Sequence, residues 1–254
     1  MTVNTQLNRY TQEGYVVVPN LISADEVRLI QQEISHIAAN HRNYPQELVQ
    51  TEPLVQSGKQ VPESFELGIR KLFRVARHSE FFRSFAFHQS VVEIAKELVG
   101  PDLFLAQSMT LMKSPGVSSP KVWHQDNAYF RLDPPDVVGF WIATDPATVE
   151  NGCMHILPGS HRNGIVEHAG EGDAYGIVDV PQNDDVIAIP LNPGDALVFH
   201  GELQHYTPAN LTSRRRRSVQ YHYASSQANW LGPVNDSPYF DPEVQICGRP
   251  PERS

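Results

Sequence analysis

The 254-residue chain holds 29 acidic against 20 basic side chains, a net charge of -9, which argues against a nucleic-acid or anionic-membrane surface, since both call for a basic face. No apolar run approaches the roughly 18 residues that a membrane-spanning helix needs. Cys153 and Cys247 are the only cysteines, which excludes a disulfide framework and nearly excludes a cysteine-based zinc site.

A hydrophobic fraction of 40% and a charged fraction of 19% fit a soluble globular chain, and the length fits one domain with a substantial core. The opening MTVNTQLNRY has no basic-then-apolar signal pattern, so a cytoplasmic protein is expected. Taken in order, a short polar segment leads into Gly14 to Pro19, a β-branched run that predicts a strand. Ser23-Ala24-Asp25-Glu26 opens a helix in which Val27, Ile30, Ile34 and Ile37 recur at helical spacing, ending near Asn40. Residues 42–63 read as a loop. Apolar character returns over 65–75, and two helices over 79–87 and 89–99 close on Gly100-Pro101.

From Asp102 the pattern changes to short strands, over 103–112, 121–124, 137–144, 152–157, 186–190, 196–200 and 218–224, separated by turn residues as in an antiparallel sandwich or barrel. Residues 159–185 read as an irregular excursion, either a lid or a surface loop. The tail with Trp230, Tyr239 and Phe240 reads as coil wrapping the core. The expected fold is thus α+β, mainly β: residues 1–100 are helical support, 101–225 a β core and 226–254 a C-terminal coil.

His124 and Asp126 stand two apart in Trp123-His124-Gln125-Asp126, so on a strand both leave one face and can grip one cation. A further histidine, His200 or His205, would complete two imidazoles and a carboxylate on one face of an ion. That set leaves about three positions open and suits Fe(II), although zinc accepts the same ligand types. Arg214 to Arg217 read most simply as a solvated basic turn before the 218–224 strand, but alternation turns at least one of them inward. A buried guanidinium needs an anion, and a bound dicarboxylate can supply it.

These residues stand in an order that resembles a known family: Trp123-His124-Gln125-Asp126, Gly139-Phe140-Trp141-Ile142-Ala143, Glu150 to His161, Pro193-Gly194-Asp195-Ala196, then His205, Asn210 and Arg216. With the Gly14 to Pro19 opening, the chain looks over nearly its whole length like the phytanoyl-CoA dioxygenase family of Fe(II)- and 2-oxoglutarate-dependent oxygenases. The resemblance implies a double-stranded β-helix, a jelly-roll core of the cupin-like kind, braced by the N-terminal helices. It assigns Fe(II) to His124, Asp126 and His205, the last preferred over His200 because it precedes Pro208-Ala209-Asn210. It gives Arg216 and Thr207 to the far carboxylate of 2-oxoglutarate, and Trp141, Met109 and Lys71 to cosubstrate contacts. Gln107 shares strand parity with Met109 and is added to that group. The Glu150 to His161 stretch is expected to shape a turn, without ligating.

The implied reaction consumes O2, cleaves 2-oxoglutarate to succinate and CO2, and hydroxylates an aliphatic C–H. With Asp126 present, hydroxylation is expected over the halogenation of relatives that lack the carboxylate. The expected partner is a small-molecule metabolite, with no nucleic acid and no membrane. Asn127, Tyr129, Phe130, Arg131 and the 159–185 loop stand where substrate contacts are expected. A fatty acyl-CoA hydroxylase is the alternative, weakened by the lack of a free basic patch and of a peroxisomal signal in Pro251-Glu252-Arg253-Ser254. A zinc hydrolase would have no use for Arg216, and a non-catalytic jelly roll would tolerate loss of a ligand.

Overall fold

The computed structural model describes residues 3–182, 185–232 and 244–247; the readings of Tyr239, Phe240 and residues 251–254 lie outside them. The strands that build the core are β1 (Tyr15–Val18), β2 (Val49–Thr51), β3 (Ile69–Phe73), β4 (Leu103–Lys113), β5 (Lys121–His124), β6 (Val137–Ala143), β7 (Met154–Ile156), β8 (Ile187–Ile189), β9 (Ala196–His200), β10 (His205–Thr207) and β11 (Arg216–Ser225). They form a large antiparallel sheet in the order β1-β9-β6-β11-β4-β3-β2, with Val244–Gln245 beside β4, and a smaller one in the order β8-β7-β10-β5. The two sheets make the expected jelly roll, and helices α1 (Val3–Glu13), α2 (Ala24–Ala39) and α3 (Gln89–Val99) accompany the large one.

Strand alternation divides the core in two. Val138, Phe140 and Ile142 of β6, with Val219, Tyr221 and Tyr223 of β11, pack under Val27, Ile30 and Ile34 of α2 and Val91 and Ala95 of α3. The alternate residues Trp141 and Ala143 meet Met154, Ile156 and Leu203 in a second cluster between the sheets. Because both faces of the large sheet are covered, β6 is buried along its whole length. Its sequence is accordingly an unbroken apolar run.

The helices are seated by specific bonds. At the start of α2, Ser23 Oγ accepts from the Glu26 amide and the Glu26 carboxylate accepts from the Ser23 amide, the capping box that the sequence predicts. The Tyr221 and Tyr223 hydroxyls donate to the carbonyls of Phe82 and Ala86 at 2.9 Å each, tying β11 to the end of the helix Glu80–Phe85.

Several elements differ from the sequence expectation. Residues 3–13, read in the sequence only as a short polar segment, form α1, which closes where Gly14 turns to φ 80° and its amide returns to the Tyr10 carbonyl at 2.8 Å. The expected loop 42–63 holds β2 and the single turn Pro53–Gln56; a three-residue strand is too short to display alternation. Residues 159–185 contain a small hairpin, with Gly176–Ile177 antiparallel to His168–Ala169. β11 begins at Arg216, two residues earlier than expected, because the Arg217 guanidinium is neutralised by Asp145 and so tolerates burial.

Candidate active site

β5 brings the chain to His124, and there the strand ends. Asp126 has helical dihedrals (φ -64°, ψ -36°) at the head of the single turn Asn127–Phe130. The expectation that one strand face presents both residues is therefore corrected: a strand-to-helix turn aligns them. β10 adds the third residue, with His205 directly opposite His124 across the β5–β10 pair. His124 Nε2 lies 3.5 Å from Asp126 Oδ1, and His205 Nε2 lies 3.8 Å from Asp126 Oδ2. All three are buried, and their candidate ligand atoms fall within 4.8 Å of one another.

The donor set fits a metal ion. Each imidazole donates its Nδ1–H to the carbonyl two residues before it, His124 to Val122 and His205 to Leu203, at 2.8 Å in both cases. That fixes the tautomer and leaves the Nε2 lone pair facing Asp126. Burial, reinforced by the neighbouring His205, pushes His124 down to about 3. Burial lowers His205 as well, against the opposing pull of Asp126. Both rings are neutral at physiological pH, the form that binds metal. Burial raises Asp126, but His222 and His205 outweigh it and hold the carboxyl well below the usual range. His200 is elsewhere: its Nδ1 accepts from the Glu202 amide and its ring packs on His161, 5.1 Å between centroids.

The second half of the site lies on β11. Arg216, Ser218, Gln220 and His222 occupy alternate positions, opposite in parity to the helix-facing Val219, Tyr221 and Tyr223. Arg216 is 1% exposed. Its Nη1 donates to Ser218 Oγ at 3.2 Å, its Nη2 to the Gly152 carbonyl at 2.9 Å, and its Cζ stands 5.1 Å from the centre of the Trp141 ring. No carboxylate among the described residues is ion-paired with it, and Arg216 Nε and Trp141 Nε1 are buried without hydrogen-bond partners. Burial pushes Arg216 down to about 10, so it stays charged at neutral pH. Burial, then Arg216 and Arg70, push its cross-strand neighbour Lys113 down to about 6. A fixed, buried cation that lacks a protein carboxylate is the arrangement a bound dicarboxylate satisfies.

Gly152 is required for it. Its φ is 90°, and a Cβ there would meet the Pro208 carbonyl at 2.6 Å. Past the strand that follows, Ser160 Oγ accepts from the Gln204 amide at 2.9 Å, so the Glu150 to His161 stretch acts as shaped backbone.

Thr207 is buried across from Lys121 on β5. Met109 and Gln107 face Gln220 and His222 across the β4–β11 pair. Lys71 stands opposite Leu111, and its ammonium pairs with Asp173 of the 159–185 loop at 2.9 Å. Among the expected substrate contacts, Tyr129 sets its ring edge against His124, 5.8 Å between centroids, and its hydroxyl bonds Tyr175 and Lys121. Asn127 instead braces its own turn through Leu132, and Phe130 is buried in an apolar cluster with Leu132 and Val137.

Sequence reasoning missed Ser218, His222 and the role of Gln125. The first two share strand parity with Arg216, a signal present in the sequence. Gln125 has no such signal: its side chain donates to Gly164 and Glu202 and accepts from Val166, tying the 159–185 loop to the turn between His124 and Asp126.

Comparisons with known proteins bear on this arrangement. A family model described as Phytanoyl-CoA dioxygenase (PhyH) matches residues 10–218. A curated relative from Arabidopsis thaliana named Phytanoyl-CoA dioxygenase is 26% identical, over 89% of this chain and 92% of its own length. Among solved structures, EctD from S. alaskensis in its apoform superposes with a TM-score of 0.78 at 20% identity, covering 98% of this chain and 88% of that one. SnoK, described as a non-heme alpha ketoglutarate dependent carbocyclase from nogalamycin biosynthesis, gives a TM-score of 0.70 at 24% identity, over 98% and 94%.

Proposed function

The chain belongs to the phytanoyl-CoA dioxygenase family of Fe(II)- and 2-oxoglutarate-dependent enzymes, and from that membership we propose that it hydroxylates an aliphatic C–H of a small-molecule metabolite in the cytoplasm. The observation that carries this reading is that His124 and His205, neutral and fixed in tautomer, close on Asp126 in the same interior as a buried arginine that pairs with no carboxylate among the described residues. In it, His124, Asp126 and His205 hold Fe(II). Arg216 and Thr207 bind the far carboxylate of 2-oxoglutarate, while Trp141, Met109, Gln107 and Lys71 line the space around the cosubstrate.

When bound, iron and 2-oxoglutarate supply the activation of O2, with succinate and CO2 as coproducts. The protein's residues bind, orient and exclude water. The Val122 and Leu203 carbonyls keep both Nδ1 protons, so neither ligand ring turns or changes tautomer. Arg216, stacked beside Trp141, orients the cosubstrate from the far end. The 159–185 loop, tied down by Gln125 and Tyr129, covers the metal-binding strand: the Gly176 backbone lies against Trp123 so closely that a Cβ would meet its carbonyl at 2.5 Å. Desolvation of this kind protects a reactive centre from side reactions. No helix among the described residues is long and apolar enough to cross a membrane.

Mixing the anaerobic protein with Fe(II) and 2-oxoglutarate should give a weak visible metal-to-ligand absorption, absent in His124→Ala. Aerobic succinate release should then rise with a member of a small-metabolite panel. Stimulation by long-chain acyl-CoAs alone would refute the metabolite reading, and a halogenated product in the presence of chloride would refute hydroxylation.

A further inference from the structure

His222 stands on the Arg216 face of β11. It is 1% exposed. The rings of Phe130 and Phe199 meet it edge to face, at 5.1 and 6.0 Å between centroids, and its Nε2 lies 2.7 Å from Asp126 Oδ2. From this geometry we infer that His222 is a positioning residue for the metal. Its Nε2–H holds Oδ2, so that Asp126 binds Fe(II) through the single oxygen Oδ1, the one 3.5 Å from His124 Nε2. The inference rests on the Fe(II) reading of the site.

A free carboxylate can grip a cation with one oxygen or two, and the second mode would occupy a position that the cosubstrate or O2 needs. Asp126 sits on a single helical turn, outside the strand ladder that fixes His124 and His205, so its side chain needs support from elsewhere. β11 provides it. The Gln220 amide nitrogen also lies 3.1 Å from His222 Nε2. The amide nitrogen is itself a donor and cannot accept the ring hydrogen, whereas the shorter contact is to a charged acceptor, which takes it. His222 Nδ1 has no hydrogen-bond partner among the described residues, so no contact on that side competes for the ring's orientation. Losing such an outer contact weakens metal binding by roughly 10–100-fold.

Anaerobic Fe(II) titration of the metal-free protein, without cosubstrate, tests this in the native chain, His222→Phe and His222→Gln. His222→Phe should bind roughly 10–100-fold more weakly, and His222→Gln, which keeps an N–H donor, should recover most of the loss. Equal affinity in the native chain and a folded His222→Phe overturns the inference and leaves the dioxygenase reading intact. A native chain that binds no Fe(II) overturns both. Should His222→Phe not fold, a crystal structure of the native chain loaded with Mn(II) decides. A metal bound to Oδ1 with Oδ2 on His222 upholds the inference; chelation by both oxygens, or metal on Oδ2, overturns it.

Discussion

Two neighbouring arginines, Arg216 and Arg217, are both buried, and their partners separate their roles. Arg217 meets Asp145 with Nε and Nη2 at 2.8 and 2.9 Å, a bidentate pair that neutralises it. Among the described residues Arg216 finds only the Gly152 carbonyl, the Ser218 hydroxyl and the Trp141 face, so its charge is available to an incoming anion. Arg216→Gln should therefore weaken 2-oxoglutarate binding by about 2–5 kcal/mol, the range for truncating one member of a buried charged pair. Fe(II) affinity without cosubstrate should not change. Anaerobic titration with each ligand separately reads the two quantities, and retained 2-oxoglutarate affinity would remove Arg216 from the cosubstrate site.

At the scale of elements, the 159–185 segment is latched to the barrel. Asp173 is its ionic anchor, with Arg70 Nε at 3.0 Å and Lys71 Nζ at 2.9 Å from its two oxygens. Burial raises the Asp173 carboxyl, but Lys71 and Arg70 outweigh it and bring it down to about 2. A carboxylate depressed in the folded state contributes its stabilisation above its ordinary value near 4 and loses it as the pH falls towards 2. Its side chain is 38% exposed, so screening keeps that contribution modest. Backbone amides over 165–177 should then exchange faster across that acid window, relative to their intrinsic rates. Asp173→Asn should show the faster exchange already at neutral pH. Hydrogen exchange by mass spectrometry checks both, and identical protection in the variant would show that Gln125 and Tyr129 suffice to hold the segment.

For the whole molecule, the proposed site links the two sheets, since its candidate ligands come from β5, β10 and the turn after β5 while the arginine comes from β11. Ligands that bind only the folded chain stabilise it by about 2.7 kcal/mol at a hundredfold excess over Kd, which is roughly 5–10 °C in Tm for a chain of this size. Fe(II) followed by 2-oxoglutarate should raise Tm in two increments. The second should vanish in Arg216→Gln, as read by anaerobic scanning calorimetry.

Local patterns were legible without coordinates. The capping box and apolar stripe of α2 and the unbroken apolar run of β6 each lie within a few residues, where spacing alone dictates which side chains meet; the His124/Asp126 pair was singled out but expected on one strand face, whereas the turn after β5 aligns it. The segment 3–13 was not legible, because its helix is short and polar, and neither was β2, an edge strand of three residues. Residue types by themselves left His200 and His205 open, and the order of family motifs favoured His205. Only the tertiary structure set His205 against His124, separated the partners of Arg216 and Arg217, and brought His222 to Asp126 across 96 residues of chain. Those juxtapositions depend on strand register and on which sheet faces which. Register is decided by the burial of both faces at once, a property of the packed molecule that no short stretch of sequence contains.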